Sequence, residues 1–92
     1  MRKQRRYKTL IYNMYAIKDE LNGFYFPVHY PNDETAKRAF LMQCNENEII
    51  KTSPTDFSLW RIGEYQSDNG TVIPYTESEH KLIMRGESNA SN

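Results

Sequence analysis

The clearest hydrophobic pattern lies in the second half of the chain, where it predicts a β-hairpin. Residues 57–65 are rich in aromatic and branched side chains, which favour a pleated strand. Residues 67–70 read Ser-Asp-Asn-Gly, which tolerates the positive φ of a tight hairpin turn. Residues 71–75 supply the return strand, and the turn formers at 54–56 precede the first strand.

The first strand of this hairpin is apolar on both faces. An antiparallel strand with one solvated face should alternate apolar and polar residues. Strict alternation instead gives Phe57, Leu59, Arg61, Gly63 and Tyr65 on one face and Ser58, Trp60, Ile62 and Glu64 on the other. Two explanations stay open. Either a helix covers one face while a second subunit, a nucleobase or another part of the chain covers the other, or a bulge near Gly63 resets the register.

The first half of the chain predicts a second hairpin. Residues 7–19 favour a strand, Asn-Gly at 22–23 is a strong turn signal, and residues 24–28 look like the return strand. Pro27 would place that strand at an edge or interrupt it. The alternative for the first segment is a helix, because four apolar residues have helical spacing: Leu10, Met14, Ile17 and Leu21.

A single helix is predicted after the first hairpin. Asn32 or Asp33 can cap its first turn, and it should end near residues 45–47. Its buried stripe is predicted to contain Ala36, Ala39, Phe40, Gln43 and Cys44. Residues 77–85 fit a short helix or a strand, and residues 86–92 are expected to be disordered.

These elements predict the α+β class: a small antiparallel sheet of β-β-α-β-β order with one helix packed on one face. We divide the chain into a flexible basic N-terminal arm at 1–8, a single α+β domain at 9–76, and a C-terminal extension at 77–92 that is largely disordered at its end.

Charge is distributed unevenly along a chain whose formal net charge is zero. Five of the twelve basic residues lie within the first eight positions, so the rest of the chain carries seven basic and twelve acidic side chains. A basic arm on an acidic body is typical of a chain that contacts polyanions.

The sequence gives little support for a metalloprotein, an enzyme, a membrane protein or a secreted protein. Cys44 is the only cysteine, which excludes an intramolecular disulfide and a cysteine-rich zinc site. His29 and His80 have no second ligand at metal spacing, and no nucleophile motif or Gly-rich phosphate loop occurs. No apolar run reaches membrane-spanning length, and the N-terminus has no signal-peptide h-region. We therefore expect a soluble cytoplasmic protein that is not an enzyme and holds no metal or cofactor.

A specific string of residues resembles a known family. Phe-Tyr-Phe-Pro at 24–27 is followed by a capped helix with Ala36 and Ala-Phe at 39–40. Pro54-x-Asp-Phe-x-Leu-Trp-x-Ile-Gly-x-Tyr65 then leads to the turn glycine Gly70. Over about residues 12–75, the chain resembles the small nonstructural protein of gokushovirus-type microviruses, tailless phages with circular single-stranded DNA. The resemblance implies DNA binding and assistance in genome packaging.

The leading hypothesis is a sequence-tolerant single-stranded DNA-binding protein in the cytoplasm of the bacterial host. The residues expected to bind backbone phosphates are Arg2, Lys3, Arg5, Arg6 and Lys8. Those expected to touch bases or backbone are Tyr15, Tyr25, Trp60 and Arg61. The alternative is a homodimeric interaction or scaffolding-type factor in capsid assembly, in which the hairpin face pairs two subunits and capsid proteins are the partners. The two hypotheses are compatible, since a homodimer would present two arms to one strand.

Overall fold

A computed structural model describes residues 10–87 of the chain. Its main elements are β1 (Ile11–Asp19), β2 (Gly23–Phe24), β3 (Val28–Tyr30), α1 (Asp33–Glu46), β4 (Phe57–Gln66), β5 (Thr71–Pro74) and β6 (Lys81–Arg85), with short 3-10 turns at Ile50–Thr52, Pro54–Asp56 and Glu77–Glu79. The predicted α+β class, an antiparallel sheet with one helix, is confirmed. The predicted basic arm and residues 88–92 lie outside the described residues.

The sheet is built around the long strands β1 and β4, which pair with each other antiparallel. The short strands β2 and β3 pair in succession with the other edge of β1. In the same way, β5 and β6 pair in succession with the other edge of β4. The sheet therefore has six strands, although it is only four strands wide at any point.

Both predicted hairpins form. The β4–β5 hairpin turns at residues 67–70, and Gly70 has the positive φ of 77° that the turn requires. In the first hairpin, the return strand is interrupted at Pro27, because proline cannot donate the ladder hydrogen bond. The two pieces, β2 and β3, contact opposite ends of the same edge of β1.

The C-terminal segment is more ordered than the sequence indicated. Of the two alternatives for residues 77–85, the strand is observed: a capping box at Thr76 and Glu79 opens a 3-10 turn, and β6 then pairs with β4. The expected disorder from Gly86 onward is wrong for Gly86 itself, whose N–H donates to the Phe57 carbonyl at 2.8 Å. A Cβ at Gly86 would lie 2.0 Å from the Pro54 carbonyl oxygen, so glycine is needed there.

The bulge suggested near Gly63 is present and changes which residues share a face. Met14 pairs with Gly63 but Tyr15 pairs with Arg61, so Ile62 is the extra residue of β4. Beyond the bulge the alternation reverses, and Tyr65 lies on the same face as Trp60 rather than with Leu59, as strict alternation had predicted. A second irregularity between β4 and β6 skips Ile83.

Helix α1 covers one face of the sheet. Asn32 caps the helix as predicted, because its Oδ1 accepts a hydrogen bond from the Thr35 backbone N–H at 2.8 Å. Ala36, Phe40 and Cys44 form the buried stripe, whereas Gln43 is exposed. The core between helix and sheet consists of Tyr15, Ala36, Phe40, Cys44, Ile50, Phe57 and Leu59. None of the helices within residues 10–87 has the length and apolar character needed to cross a bilayer.

Candidate nucleic-acid interface

The face of the sheet opposite α1 carries a row of ring side chains. Alternate residues of β1 lie on opposite faces, and Tyr15 belongs to the core beneath α1. The other set therefore lies on the helix-free face: Tyr12, Met14, Ala16 and Lys18. Directly paired residues share a face, which adds Tyr65 opposite Tyr12 and Trp60 opposite Ala16.

We call this surface the aromatic face and define it by seven residues: Tyr12, Lys18, Phe24, His29, Trp60, Tyr65 and His80. All seven side chains are half-buried or exposed. They form two clusters, one near each end of β1. Tyr12 and Lys18 are six residues apart, which corresponds to about 20 Å of extended strand.

The first cluster is a three-ring group at the N-terminal end of β1. The His29 ring stacks on Tyr65 with centroids 5.4 Å apart and an angle of 26° between the planes. Tyr12 meets the same imidazole edge-on at 5.1 Å. The rings come from β1, β3 and β4, so three strands of the sheet hold the cluster in place.

The second cluster surrounds Phe24 at the other end of the face. Phe24 meets Trp60 edge-on at 6.4 Å and His80 edge-on at 5.8 Å. The Lys18 ammonium lies 5.6 Å from the Phe24 centroid and 5.7 Å from the Trp60 centroid, within cation–π range of both. The cluster therefore combines ring surfaces with a positive charge.

A hydrogen-bond chain fixes Trp60 in this position. Trp60 Nε1 donates to Ser58 Oγ at 2.8 Å, and Ser58 Oγ donates to Glu20 Oε2 at 3.2 Å. Ser58 is fully buried, so this chain also satisfies a polar group that would otherwise be costly. Glu20 lies 3.9 Å from both Lys18 and Arg85. At that distance, on a partly exposed surface, each ion pair contributes little stability and can exchange for another anion.

The first described residues, Leu10 and Ile11, join the sheet beside the first cluster. The Leu10 carbonyl accepts from the Ser67 N–H at 3.0 Å and from Ser67 Oγ at 3.2 Å, and Ile11 pairs with Gln66. Tyr12, a member of the first cluster, is the next residue. In the sequence, the five basic residues at positions 2–8 precede Tyr12 by four to ten residues.

The four described residues that we predicted to contact DNA are not brought together. Trp60 lies on the aromatic face, whereas the other three lie on the helix side. Tyr25 is 37 % exposed, and its ring packs edge-on against Phe57 at 6.3 Å. Tyr15 is 0 % exposed, which corrects its assignment as a stacking residue, because no face of its ring is open to a base.

Arg61 and Tyr15 instead belong to one polar cluster at the start of α1. Both contact Asp33 Oδ1: the Tyr15 hydroxyl donates at 2.5 Å, and Arg61 Nη1 donates at 3.3 Å. Burial, with the hydrogen bond to Asp33, raises the pKa of Tyr15 to about 12, so the hydroxyl stays protonated and keeps donating. Arg61 Nε is buried without a partner among the described residues. We attribute to this cluster the anchoring of α1 on the sheet.

A cavity of about 420 Å³ opens on the helix side, between α1 and the segment that contains Tyr25. Its walls are mostly apolar and include Tyr25, Phe26, Val28 and Phe40. Phe26 at its rim is 82 % exposed. No group of three or more His, Cys, Asp or Glu side chains placed to hold a metal ion occurs in residues 10–87.

Most of the aromatic face was missed by the sequence reasoning. Six of its seven residues were not among the predicted site residues: Tyr12, Lys18, Phe24, His29, Tyr65 and His80. A signal existed for two of them, because Tyr12 and Lys18 are in phase along β1. Tyr65 could not be assigned to a face of the sheet without knowing that Ile62 is the extra residue of the β4 bulge.

The fold and this surface define a small α+β domain with a helix on one side of its sheet and ring side chains on the other. A family model described as Phage ORF5 protein matches residues 12–89. The chain therefore belongs to the Phage ORF5 protein family. No curated protein and no solved structure matches the chain. The phage assignment implied by the resemblance is confirmed, whereas the gokushovirus assignment and DNA binding stay predictions.

Proposed function

We propose that this chain is a nonstructural single-stranded DNA-binding protein of a small phage. It would act in the cytoplasm of the bacterial host as a binding protein rather than as an enzyme, and it would assist genome replication or packaging. The observation that carries the proposal is the aromatic face: two clusters of accessible rings on one side of a sheet, with Lys18 and Arg85 at one end.

Stacking is the first physical support. Proteins that bind single strands without strong sequence preference place aromatic rings on a sheet, and each stacked base contributes roughly 1–3 kcal/mol. Tyr65 and Trp60 are held by strand pairing, and Trp60 also by its bond to Ser58, so little side-chain entropy is lost when a base stacks on either ring. A paired duplex hides its base faces, so this surface suits an unpaired strand.

Charge is the second support. The arm carries five basic residues that precede Tyr12 in the sequence, and Lys18 and Arg85 lie near the end of the face that holds Phe24. A strand laid along β1 would meet Lys18 and Arg85 beside the rings, and the arm would add further cations to its phosphates. Phosphate neutralisation releases counterions, so binding should weaken steeply as salt rises. Sequence tolerance follows, because neither stacking nor phosphate contact depends on the identity of the base.

A homodimeric or scaffolding-type factor in capsid assembly is the second candidate. Two exposed apolar residues extend the aromatic face at its edge: Val72 pairs with Tyr65, and Leu82 pairs with Trp60. A second copy or a capsid protein would cover these side chains together with the rings. This candidate requires a complex that survives high salt and does not need residues 1–8.

A titration with labelled single-stranded DNA tests the proposal. Anisotropy is measured for the full chain and for a chain lacking residues 1–8, at several salt concentrations, with a duplex of the same sequence as control. The full chain should prefer the single strand. The truncated chain should lose up to about 3.5 from the slope of log affinity against log salt, because five phosphate contacts each contribute about 0.7 on single strands.

The outcomes separate the two candidates. Absence of binding at low salt, or binding that ignores salt, overturns the DNA-binding proposal. Light scattering on the same samples then examines the second candidate. A dimer that persists in high salt after truncation, together with absence of DNA binding, favours the assembly role.

A further inference from the structure

Both histidines of the chain lie on the aromatic face, one in each ring cluster. Imidazole is the side chain whose charge changes between about pH 5 and 8. Among the ion pairs formed by residues 10–87, none includes a histidine. The face can therefore gain up to two positive charges without breaking an existing salt bridge.

His29 has uncharged ring neighbours. It stacks on Tyr65 from β4 and meets Tyr12 from β1 edge-on, and its own residue is exposed on β3. The face of an aromatic ring carries partial negative charge, so the stacked Tyr65 ring is compatible with an imidazolium. No carboxylate contacts the ring among the described residues, and an incoming phosphate would be the first anion that it meets.

His80 lies in a more charged environment. Its ring contacts Phe24, over which the Lys18 ammonium is also placed, and this cation disfavours a second positive charge nearby. Glu77 and Glu79 precede His80 in its own turn, and Glu79 accepts the Thr76 N–H in the capping box. At the same end of the face, Glu20 pairs with Lys18 and Arg85. His29 should therefore be the stronger contributor.

We infer that His29 and His80 bind backbone phosphates of the single strand as imidazolium groups, so that DNA binding takes up protons. The inference rests on the proposed function and extends it by two residues that contact the ligand. A phosphate held near an imidazole favours its protonated form, and by linkage a lower pH must strengthen binding. The affinity for single-stranded DNA then depends on pH through the same face that stacks the bases.

The expected effect has two signatures. Affinity for DNA should rise roughly threefold for each engaged histidine between about pH 7 and about pH 5.5, because a bound phosphate favours the protonated imidazole. The salt slope should also steepen by about 0.7 for each imidazolium–phosphate contact. A histidine with a purely structural role in ring packing would produce neither signature.

The experiment is an anisotropy titration of the full chain with labelled oligothymidylate at about pH 7 and about pH 5.5. Both values lie below the pH range in which the terminal amine changes charge. Thymine has no group that titrates in this interval. The variants are His29→Gln, His80→Gln and the double variant, since glutamine keeps a polar side chain without the charge. A methylphosphonate oligothymidylate, which has a neutral backbone, reports stacking without phosphate contact.

Wild type should bind more tightly and with a steeper salt slope at the lower pH. The double variant should show the same affinity and the same salt slope at both pH values, whatever affinity the loss of two rings leaves it, and the neutral oligonucleotide should show no pH dependence. A pH effect that persists in the double variant or with the neutral backbone overturns the inference, as does pH-independent binding by wild type. Failure to bind DNA at either pH would instead overturn the proposed function.

Discussion

Replacing Tyr65 by alanine removes one ring from the aromatic face without changing any charge. Tyr65 lies on the central strand β4, opposite Tyr12, and stacks on His29 at 5.4 Å. One side of its ring therefore faces the imidazole, and one base at most can stack on the other. The substitution tests whether these rings hold DNA.

The expected loss follows from that geometry. One stacked base contributes roughly 1–3 kcal/mol, so Tyr65→Ala should weaken single-strand binding by roughly 5- to 150-fold. The slope of log affinity against log salt should stay unchanged, because no phosphate contact is lost. Tyr65→Phe keeps the ring and should bind nearly as well as wild type.

Tyr25→Ala provides the matched control. Tyr25 is also a partly exposed tyrosine, but it packs on Phe57 on the helix side of the sheet. The assay is an anisotropy titration against oligothymidylate at several salt concentrations, with thermal denaturation to confirm that each variant is folded. Equal affinity for wild type and Tyr65→Ala would refute the reasoning, and so would an equal loss in Tyr25→Ala.

Three further predictions concern charge and stability. Gly63→Ala should destabilise the fold by about 1–3 kcal/mol in urea denaturation, because a Cβ there would lie 2.6 Å from the Ile73 carbonyl oxygen; an unchanged midpoint would contradict this. The N–H of Leu21 lowers the pKa of Asp19, so this carboxylate stabilises the fold above its unfolded-state pKa of about 4, and the stabilisation is lost as pH falls through the lower folded-state value. Asp19→Asn should be less stable than wild type at neutral pH, and the gap should close in acid; a gap that is constant with pH would count against the assignment. Glu20→Gln should tighten DNA binding and steepen its salt slope, because it frees two cations for phosphate; weaker binding would argue that the face does not meet DNA.

The hairpins and the helix were predictable because their signals are local. An Asn-Gly turn or an Asn cap acts within a few residues, so the sequence alone determines it. Pro27 interrupts its strand for an equally local reason. The sequence of the last strand, Lys81–Arg85, fits a helix as well as a strand, because five residues carry too little periodicity to separate the two.

The composition of the candidate interface was not predictable in the same way. β1 carries tyrosines in both phases, and nothing local decides which phase α1 will cover. Tyr15 is buried because its hydroxyl meets Asp33 at the start of the helix, a contact between residues 18 positions apart. Tyr65 changes face because of a single extra residue in β4. Both outcomes depend on long-range register, which hydrophobic alternation does not specify.

The two candidate functions compete for the same surface, and this competition limits how they can combine. A second copy that covers Tyr65 and Trp60 would remove the rings on which bases stack, so a dimer formed through the aromatic face could bind DNA only through its two arms. A dimer formed elsewhere, for example at the apolar cavity beside Tyr25 and Phe26, would leave both aromatic faces open. The effect of removing the Tyr65 ring therefore separates these arrangements. Loss of DNA affinity places the nucleic acid on the aromatic face and any subunit contact elsewhere, whereas loss of dimerisation with DNA affinity kept assigns the face to protein and the nucleic acid to the arm.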